Sequence, residues 1–175
     1  ASPVKALLLS EIFPPQNGGS GRWLHEVYSR LPVENVVIAA GEDRAQVDFD
    51  AQHSLNLHRL PLTMSEWGIR SLGGLRQYWS LFQRIRKLAR RERVTAIHCG
   101  RCLPEGWIAL MLKKLCGIPY VCFVHGEDVE SASTSRELSW MVHRILSGAD
   151  FLIANSQNTA TLLSDNWNLP GNRVN

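Results

Sequence analysis

Apolar residues recur along this chain in two different spacings. Six short runs, most of them apolar without interruption, occupy Val4–Leu9, Asn35–Ala40, Leu55–Leu60, Thr95–Cys99, Tyr120–Val124 and Asp150–Ala154. A strand with one wet face alternates, whereas a strand covered on both faces does not, so these runs predict a buried parallel sheet. Between them the spacing is helical. Leu24, Val27, Tyr28 and Leu31 form one stripe, and Leu75, Trp79, Phe82, Ile85 and Leu88 a longer one. Trp107, Ile108, Met111 and Leu115 form a third, and Leu138, Met141 and Ile145 a fourth. Pro104 is placed to open a helix, Gly117 and Gly148 to close two, and Thr134 with Glu137 reads as a capping box. Strands alternating with such helices predict a Rossmann-like α/β domain with helices on both faces of the sheet. With no repeat or low-complexity linker, residues 1–175 read as one domain.

Composition narrows the class. Of 175 residues, 45% are hydrophobic, and six Trp, five Phe and three Tyr exclude a disordered chain. No apolar run approaches the roughly 20 residues of a membrane span. Val4–Ser10 does not suit a signal peptide, because it runs into Glu11 and a Pro-Gly loop. Four cysteines make no disulfide scaffold, so a reducing, cytoplasmic setting is expected. The net charge of +3 conceals an asymmetry. Residues 70–93 carry eight basic side chains against Glu92 alone, while the remainder is net acidic.

In open parallel sheets, ligands bind outside the carboxyl ends of the strands. Those ends here are Glu11–Gly21, Gly100–Glu105, His125–Ser131 and Asn155–Gln157. The first reads Pro14-Pro15-Gln16-Asn17-Gly18-Gly19-Ser20-Gly21 before a helix. Glycines let backbone N–H groups approach an anion at a helix start, although a plain loop with Ser20 as N-cap has the same composition. No Gly-Lys-Ser/Thr follows, so it is not a P-loop. The dinucleotide fingerprint fails at Leu24, and only Glu42 and Asp43 after the second strand keep a dehydrogenase open. His125-Gly126-Glu127-Asp128 puts a histidine, a glycine and two acids at one strand exit, where function outweighs a satisfied core histidine.

Three further features invite chemistry. Cys99-Gly100-Arg101-Cys102 has redox spacing, but Leu103-Pro104 separates it from the helix and only His98 is near enough in sequence to help hold zinc. Packing is the expected role of both cysteines, with Arg101 as an anion contact. Asp48-Phe49-Asp50 has a metal-binding spacing without context and reads as a solvated loop. The basic helix over 71–93 exceeds the charge a solvated surface needs. Through Arg84, Lys87 and Arg91 it suits an anionic membrane surface better than nucleic acid, for which no aromatic platform is present.

Taken in order, these loops make the chain resemble the N-terminal domain of the family-four retaining glycosyltransferases of GT-B architecture, especially the bacterial mannosyltransferase-like members. The resemblance rests on Pro14-Pro15-x-x-Gly18-Gly19, Arg101-x-x-Pro104-Glu105-Gly106, His125-Gly126-Glu127-Asp128, Ala149-Asp150 and Ala154-Asn155-Ser156. It implies transfer of a hexose from a nucleotide-diphosphate sugar to a hydroxyl of a glycan or lipid-linked acceptor, without metal or other cofactor. It implies that Gly18, Gly19 and Ser20 face the donor's diphosphate and sugar, and that His125 is the catalytic contact to that sugar. Arg101, Glu105, Gly126, Glu127, Asp128 and Asn155 would line the acceptor side. It also implies a second, donor-binding domain, expected to be absent from a chain that ends at Arg173-Val174-Asn175, so that this lobe alone is inactive. A non-catalytic ligand-binding module and a thiol redox protein using Cys99 and Cys102 remain as readings from other classes.

Overall fold

The computed structural model describes residues 4–166; the expected chain end at Arg173–Asn175 lies outside the described residues. All six expected strands form: β1 (Ala6–Ser10), β2 (Val36–Gly41), β3 (Leu57–Leu60), β4 (Ala96–Cys99), β5 (Tyr120–Val124) and β6 (Phe151–Ala154). They make one parallel sheet in the order β3-β2-β1-β4-β5-β6. The helices are α1 (Gly19–Tyr28), α2 (Gln46–Gln52), α3 (Leu72–Arg91), α4 (Trp107–Cys116), α5 (Gly126–Ala132), α6 (Arg136–Gly148) and α7 (Gln157–Asn166).

The continuous apolar runs have the expected cause. Along β1 and β2, Leu7, Leu9, Val37 and Ala39 pack into a core with α3, α4 and α6. Their neighbours Leu8, Val36, Ile38 and Ala40 pack into a second core with Leu24 and Tyr28 of α1. Each strand is buried on both sides because period-two alternation sends its side chains into two cores. The order of the strands reverses between β1 and β4, so a crevice opens at the carboxyl ends of those two strands.

Several local expectations need correction. Helical periodicity leaves the phase of a stripe open, and α3 takes a different phase from the one expected. Tyr78 and Leu81 are buried with Phe82, Ile85 and Leu88, while Leu75 and Trp79 face outward. Tyr78 tolerates burial because its hydroxyl donates to the Trp67 carbonyl at 2.6 Å. Val27 and Leu31 of the first stripe and Leu115 of the third are likewise exposed. The capping box does not form. Ser135 caps α6 by accepting from the Leu138 amide, while Glu137 accepts from the Ile69 and Arg70 amides at 2.6 and 2.8 Å. Pro104 lies in a wide, kinked turn of π-helical type, Cys102–Gly106, and the regular helix starts only at Trp107. Asp48-Phe49-Asp50 is not a loop but part of α2, where Phe49 stacks on His53 and Asp50 pairs with Arg59 at 2.9 Å. Gly117 ends α4 in the left-handed conformation, as expected.

The second half of the long connection 61–71 is therefore pinned against α3 and α6. Ser71 caps α3 through the Gly74 amide, and α3 passes so near the loop that a Cβ on Gly74 would collide with the Gly68 carbonyl. A Cβ on Gly19 would meet nothing within 4 Å. Gly74→Ala is expected to lower stability by about 1–3 kcal/mol. Gly19→Ala is expected to be neutral or to stabilise by up to about 1 kcal/mol, because alanine suits a helix better. Urea unfolding of both variants checks the contrast.

Candidate functional site

Four loops meet over the β1/β4 crevice, and each is shaped by a local packing demand. After β1 the chain turns through Glu11, Ile12 and Phe13 and enters α1 at Gly18. A Cβ on Gly18 would lie 2.9 Å from the Ile12 side chain, and one on Gly21 the same distance from the Ile12 carbonyl. Those two glycines let α1 settle onto the strand exit. Gly19 and Ser20 are the members of the motif that reach the cavity. Gly100, after β4, has a Cβ position 2.7 Å from the Ser10 hydroxyl, so glycine is needed to hold β4's exit against β1's.

The cavity is about 430 Å³, lined by Ser10, Ile12, Gly19, Ser20, Gly100, Arg101, His125, Glu127, Asp128 and Asn155. It thus brings together most residues singled out from the sequence. His125 follows β5 and caps the start of α5, and its Nε2–H donates to the Gly100 carbonyl at 3.0 Å. That bond fixes the ring beside β4 and leaves Nδ1 as the second ring nitrogen. Asn155 follows β6 and accepts from the Thr159 hydroxyl at 2.6 Å, which orients its amide. Burial raises the Asp128 carboxyl above its usual range, opposed by the nearby His125 and Arg101. Gly126 starts α5, and a Cβ there would lie 3.1 Å from the Thr159 hydroxyl.

Arg101 is the most constrained side chain of the group. Its Nε donates to both Glu105 oxygens at 3.0 and 3.1 Å, a terminal nitrogen pairs with Glu11, and the guanidinium lies 5.1 Å from the Trp67 ring centre. Glu105 is only 1% exposed. It does not present to the cavity as an acceptor-side residue but sits behind Arg101 and aims it. Glu11 was not among the residues singled out, although a lone acid directly after an apolar run was a legible signal. Its other oxygen accepts from Thr63 at 2.9 Å, tying the site to the 61–71 connection. Thr63 and Trp67 left no signal in the sequence, because only the tertiary fold brings that connection here.

A second cavity of about 350 Å³ adjoins the first and shares Ser20, His125 and Asn155 with it. Its other walls are Trp23, Phe123, Val124, Ile153 and Ala154, so it is mainly apolar. Arg84, Lys87 and Arg91 lie apart from both, exposed on α3. Cys99 and Cys102 are buried, free thiols, with Cys102 3.8 Å from Cys122. Burial holds the Cys99 thiol well above its ordinary value, so it supplies no reactive thiolate. The thiol redox reading is not favoured. Among the described residues no helix is long and apolar enough to cross a membrane.

Comparison with known proteins agrees with this geometry. The family described as "Glycosyl transferase 4-like domain" matches residues 18–175. Among solved structures the chain is similar to HepE of Anabaena in complex with UDP, with a TM-score of 0.66 and 16% identity, covering 98% of this chain and 43% of that one. It is also similar to MurG of Acinetobacter baumannii (TM-score 0.59, 11% identity, 99% and 44% covered). A third is the UDP-GlcNAc 2-epimerase of Neisseria meningitidis bound to UDP-GlcNAc (0.62, 8% identity, 98% and 46% covered). The chain therefore spans less than half the length of these structures. None of the curated proteins matches it in sequence.

The charge at Arg101 has a pH consequence. One guanidinium faces two carboxylates, and burial raises the fully enclosed Glu105 to about 7. The folded state then binds a proton there more tightly than the unfolded chain, whose carboxyl titrates near the ordinary value of 4.5. Stability from this group is present at low pH and is lost as pH rises from about 4.5 to about 7, a decline on the order of 1–3 kcal/mol. Glu105→Gln is expected to flatten that decline, as urea midpoints at pH values on either side of this window will show.

Proposed function

The chain belongs to the glycosyl transferase 4-like domain family, and we propose that it is the acceptor-side lobe of a nucleotide-sugar-dependent glycosyltransferase that transfers a hexose with retention of configuration. The observation that carries this reading is the 430 Å³ cavity. It opens at the sheet's switch point and sets a glycine-rich helix start opposite His125, Arg101 and Asn155. The bound UDP of HepE and UDP-GlcNAc of the epimerase favour a nucleotide-diphosphate sugar as donor. Retention and the mannosyl-type hexose rest on the motif resemblance.

In this reading Gly19 and Ser20, at the amino end of α1, offer N–H groups to the donor diphosphate, with Gly18 supporting the turn from below. We assign no metal to that role, since backbone dipoles and a helix start already complement the phosphate charge. His125 contacts the donor sugar beside the reacting carbon. Arg101, Glu127, Asp128 and Asn155 orient the acceptor hydroxyl, with Glu105 acting through Arg101. The adjoining cavity supports a lipid-linked acceptor, because its walls of Trp23, Phe123, Val124 and Ile153 are mainly apolar. Base and ribose are held by a second lobe, as the greater length of the similar structures suggests. The four unpaired cysteines support a cytoplasmic setting.

His125→Ala in the full-length protein is expected to cut turnover by about 10²-fold or more, with an unchanged melting curve. Near-normal turnover would remove His125 from the mechanism. This chain alone offers one wall of a nucleotide site, so calorimetry with nucleotide-diphosphate sugars is expected to give a Kd on the order of millimolar. Tight, saturable binding would instead make it the donor lobe.

A further inference from the structure

The loop that carries the glycines to the cavity has few ties of its own. Pro14 and Pro15 have no N–H, so at these two positions the backbone can be held only through its carbonyls. Pairing between β1 and β2 ends at Ser10 and Ala40, and one more bond, from the Gly41 amide to the Glu11 carbonyl, extends it. Phe13 is then buried below the loop. Beyond it, among the described residues, two hydrogen bonds connect residues 14–17 to the rest of the fold. Gln16 Nε2 donates to the Glu42 carbonyl at 3.1 Å on the exposed surface, and Arg59 donates to the Pro14 carbonyl at 2.6 Å.

Arg59 is held in place for that contact. It lies two residues after Leu57 on β3, hence on the face that carries α1, and its side chain is only 6% exposed. One terminal nitrogen donates to the Gly41 carbonyl at 2.9 Å. The other takes the Pro14 carbonyl and an Asp50 oxygen of α2 at 2.9 Å, while Nε bonds the second Asp50 oxygen at 3.3 Å. The guanidinium also lies 5.8 Å from the ring centres of Phe13 and Phe49, one from the loop and one from α2. Every nitrogen is engaged. An ion pair with Asp50 alone could have stayed in water at little cost. Burying the cation against main-chain carbonyls from two strand exits fixes geometry instead, because the planar fork sets each bond direction by the others.

We propose that Arg59 is a positioning residue for the start of α1. Its bond to the Pro14 carbonyl sets where the chain enters the helix, and so where the Gly19 and Ser20 amides stand at the cavity. Charge-assisted and shielded from water, that bond outweighs the exposed Gln16 contact. Asp50 in turn orients Arg59, so the Asp48-Phe49-Asp50 segment acts on the site through this arginine. The inference rests on the reading that Gly19 and Ser20 face the donor diphosphate, and it names what aims them.

Arg59→Lys in the full-length protein tests this by hydrogen exchange and UDP binding. Lysine keeps the charge and can still pair with Asp50, but one ammonium cannot span both carbonyls and the carboxylate. The amides of Gln16 and Arg22, which bond to the Phe13 and Gly18 carbonyls at 3.2 Å, report on the loop and the helix start. Their exchange is expected to quicken about tenfold, with the amides of β1 unchanged. Affinity for UDP, measured by calorimetry, is expected to fall about fivefold. Unchanged exchange at Gln16 and Arg22 overturns the proposal, and so does faster exchange throughout the sheet, the mark of a merely structural role. Quickened loop exchange with unchanged UDP affinity overturns it as well. If Arg59→Lys does not fold, Asp50→Asn reads the same contact. Freeing the guanidinium from its carboxylate is expected to quicken the same two amides about threefold, and no change there overturns the proposal. Exchange needs no donor, so a wild type that ignores UDP counts against the transferase reading while exchange still decides the role of Arg59.

Discussion

Arg101 joins parts of the chain that the sheet alone would leave separate, because its guanidinium is shared between Glu11 after β1 and Glu105 in the turn before α4. Stacked over Trp67, it also holds the 61–71 connection against the site. A buried cation with two carboxylates is costly to dismantle. Removing the arginine would leave two acids without a counter-ion, on the order of 3–5 kcal/mol. The arrangement therefore fixes how far apart β1 and β4 open at their carboxyl ends. That spacing sets the width of the crevice in which Gly19 and His125 face each other.

The remaining site groups divide between scaffold and contact. Gly18, Gly21 and Gly100 serve close packing, each blocked by a specific neighbour from accepting a side chain. Gly19 has open space before it and faces the cavity. His125 spends one nitrogen on the Gly100 carbonyl, which locks the ring at the cavity wall. A side chain fixed in this way loses little entropy when a ligand binds. The same economy applies to Asn155, held by Thr159, and to Arg101, held by its two acids.

The sheet was legible because its strands are short, apolar on both faces and separated by helical spacing. The strand exits, and hence the location of the site, follow from that topology. What the sequence hid depends on tertiary choice. Leu75 and Trp79 fit a buried stripe as well as Tyr78 and Leu81 do, and tertiary contacts, among them the hydrogen bond from Tyr78 to Trp67 and the tight Gly74 contact, select the phase. Glu137 fits a capping box in sequence, yet two amides of the 61–71 connection outcompete the local amide for its carboxylate. Glu105 was expected on the acceptor side, but its burial behind Arg101 is a three-dimensional fact that spacing does not encode.

The misphased stripe and the asymmetric charge turn out to be one observation. Had α3 buried Leu75 and Trp79, its outer face would have been polar and cationic, which ordinary solvation or a purely electrostatic contact accommodates. With Tyr78 and Leu81 inward instead, the tryptophan and leucines are left outside at the end nearest the cavities. The apolar cavity between Trp23 and Ile153 opens on that same sheet edge. That cavity belongs to the α1 face of the sheet, however, and α3 covers the opposite face, so the two apolar features look away from each other.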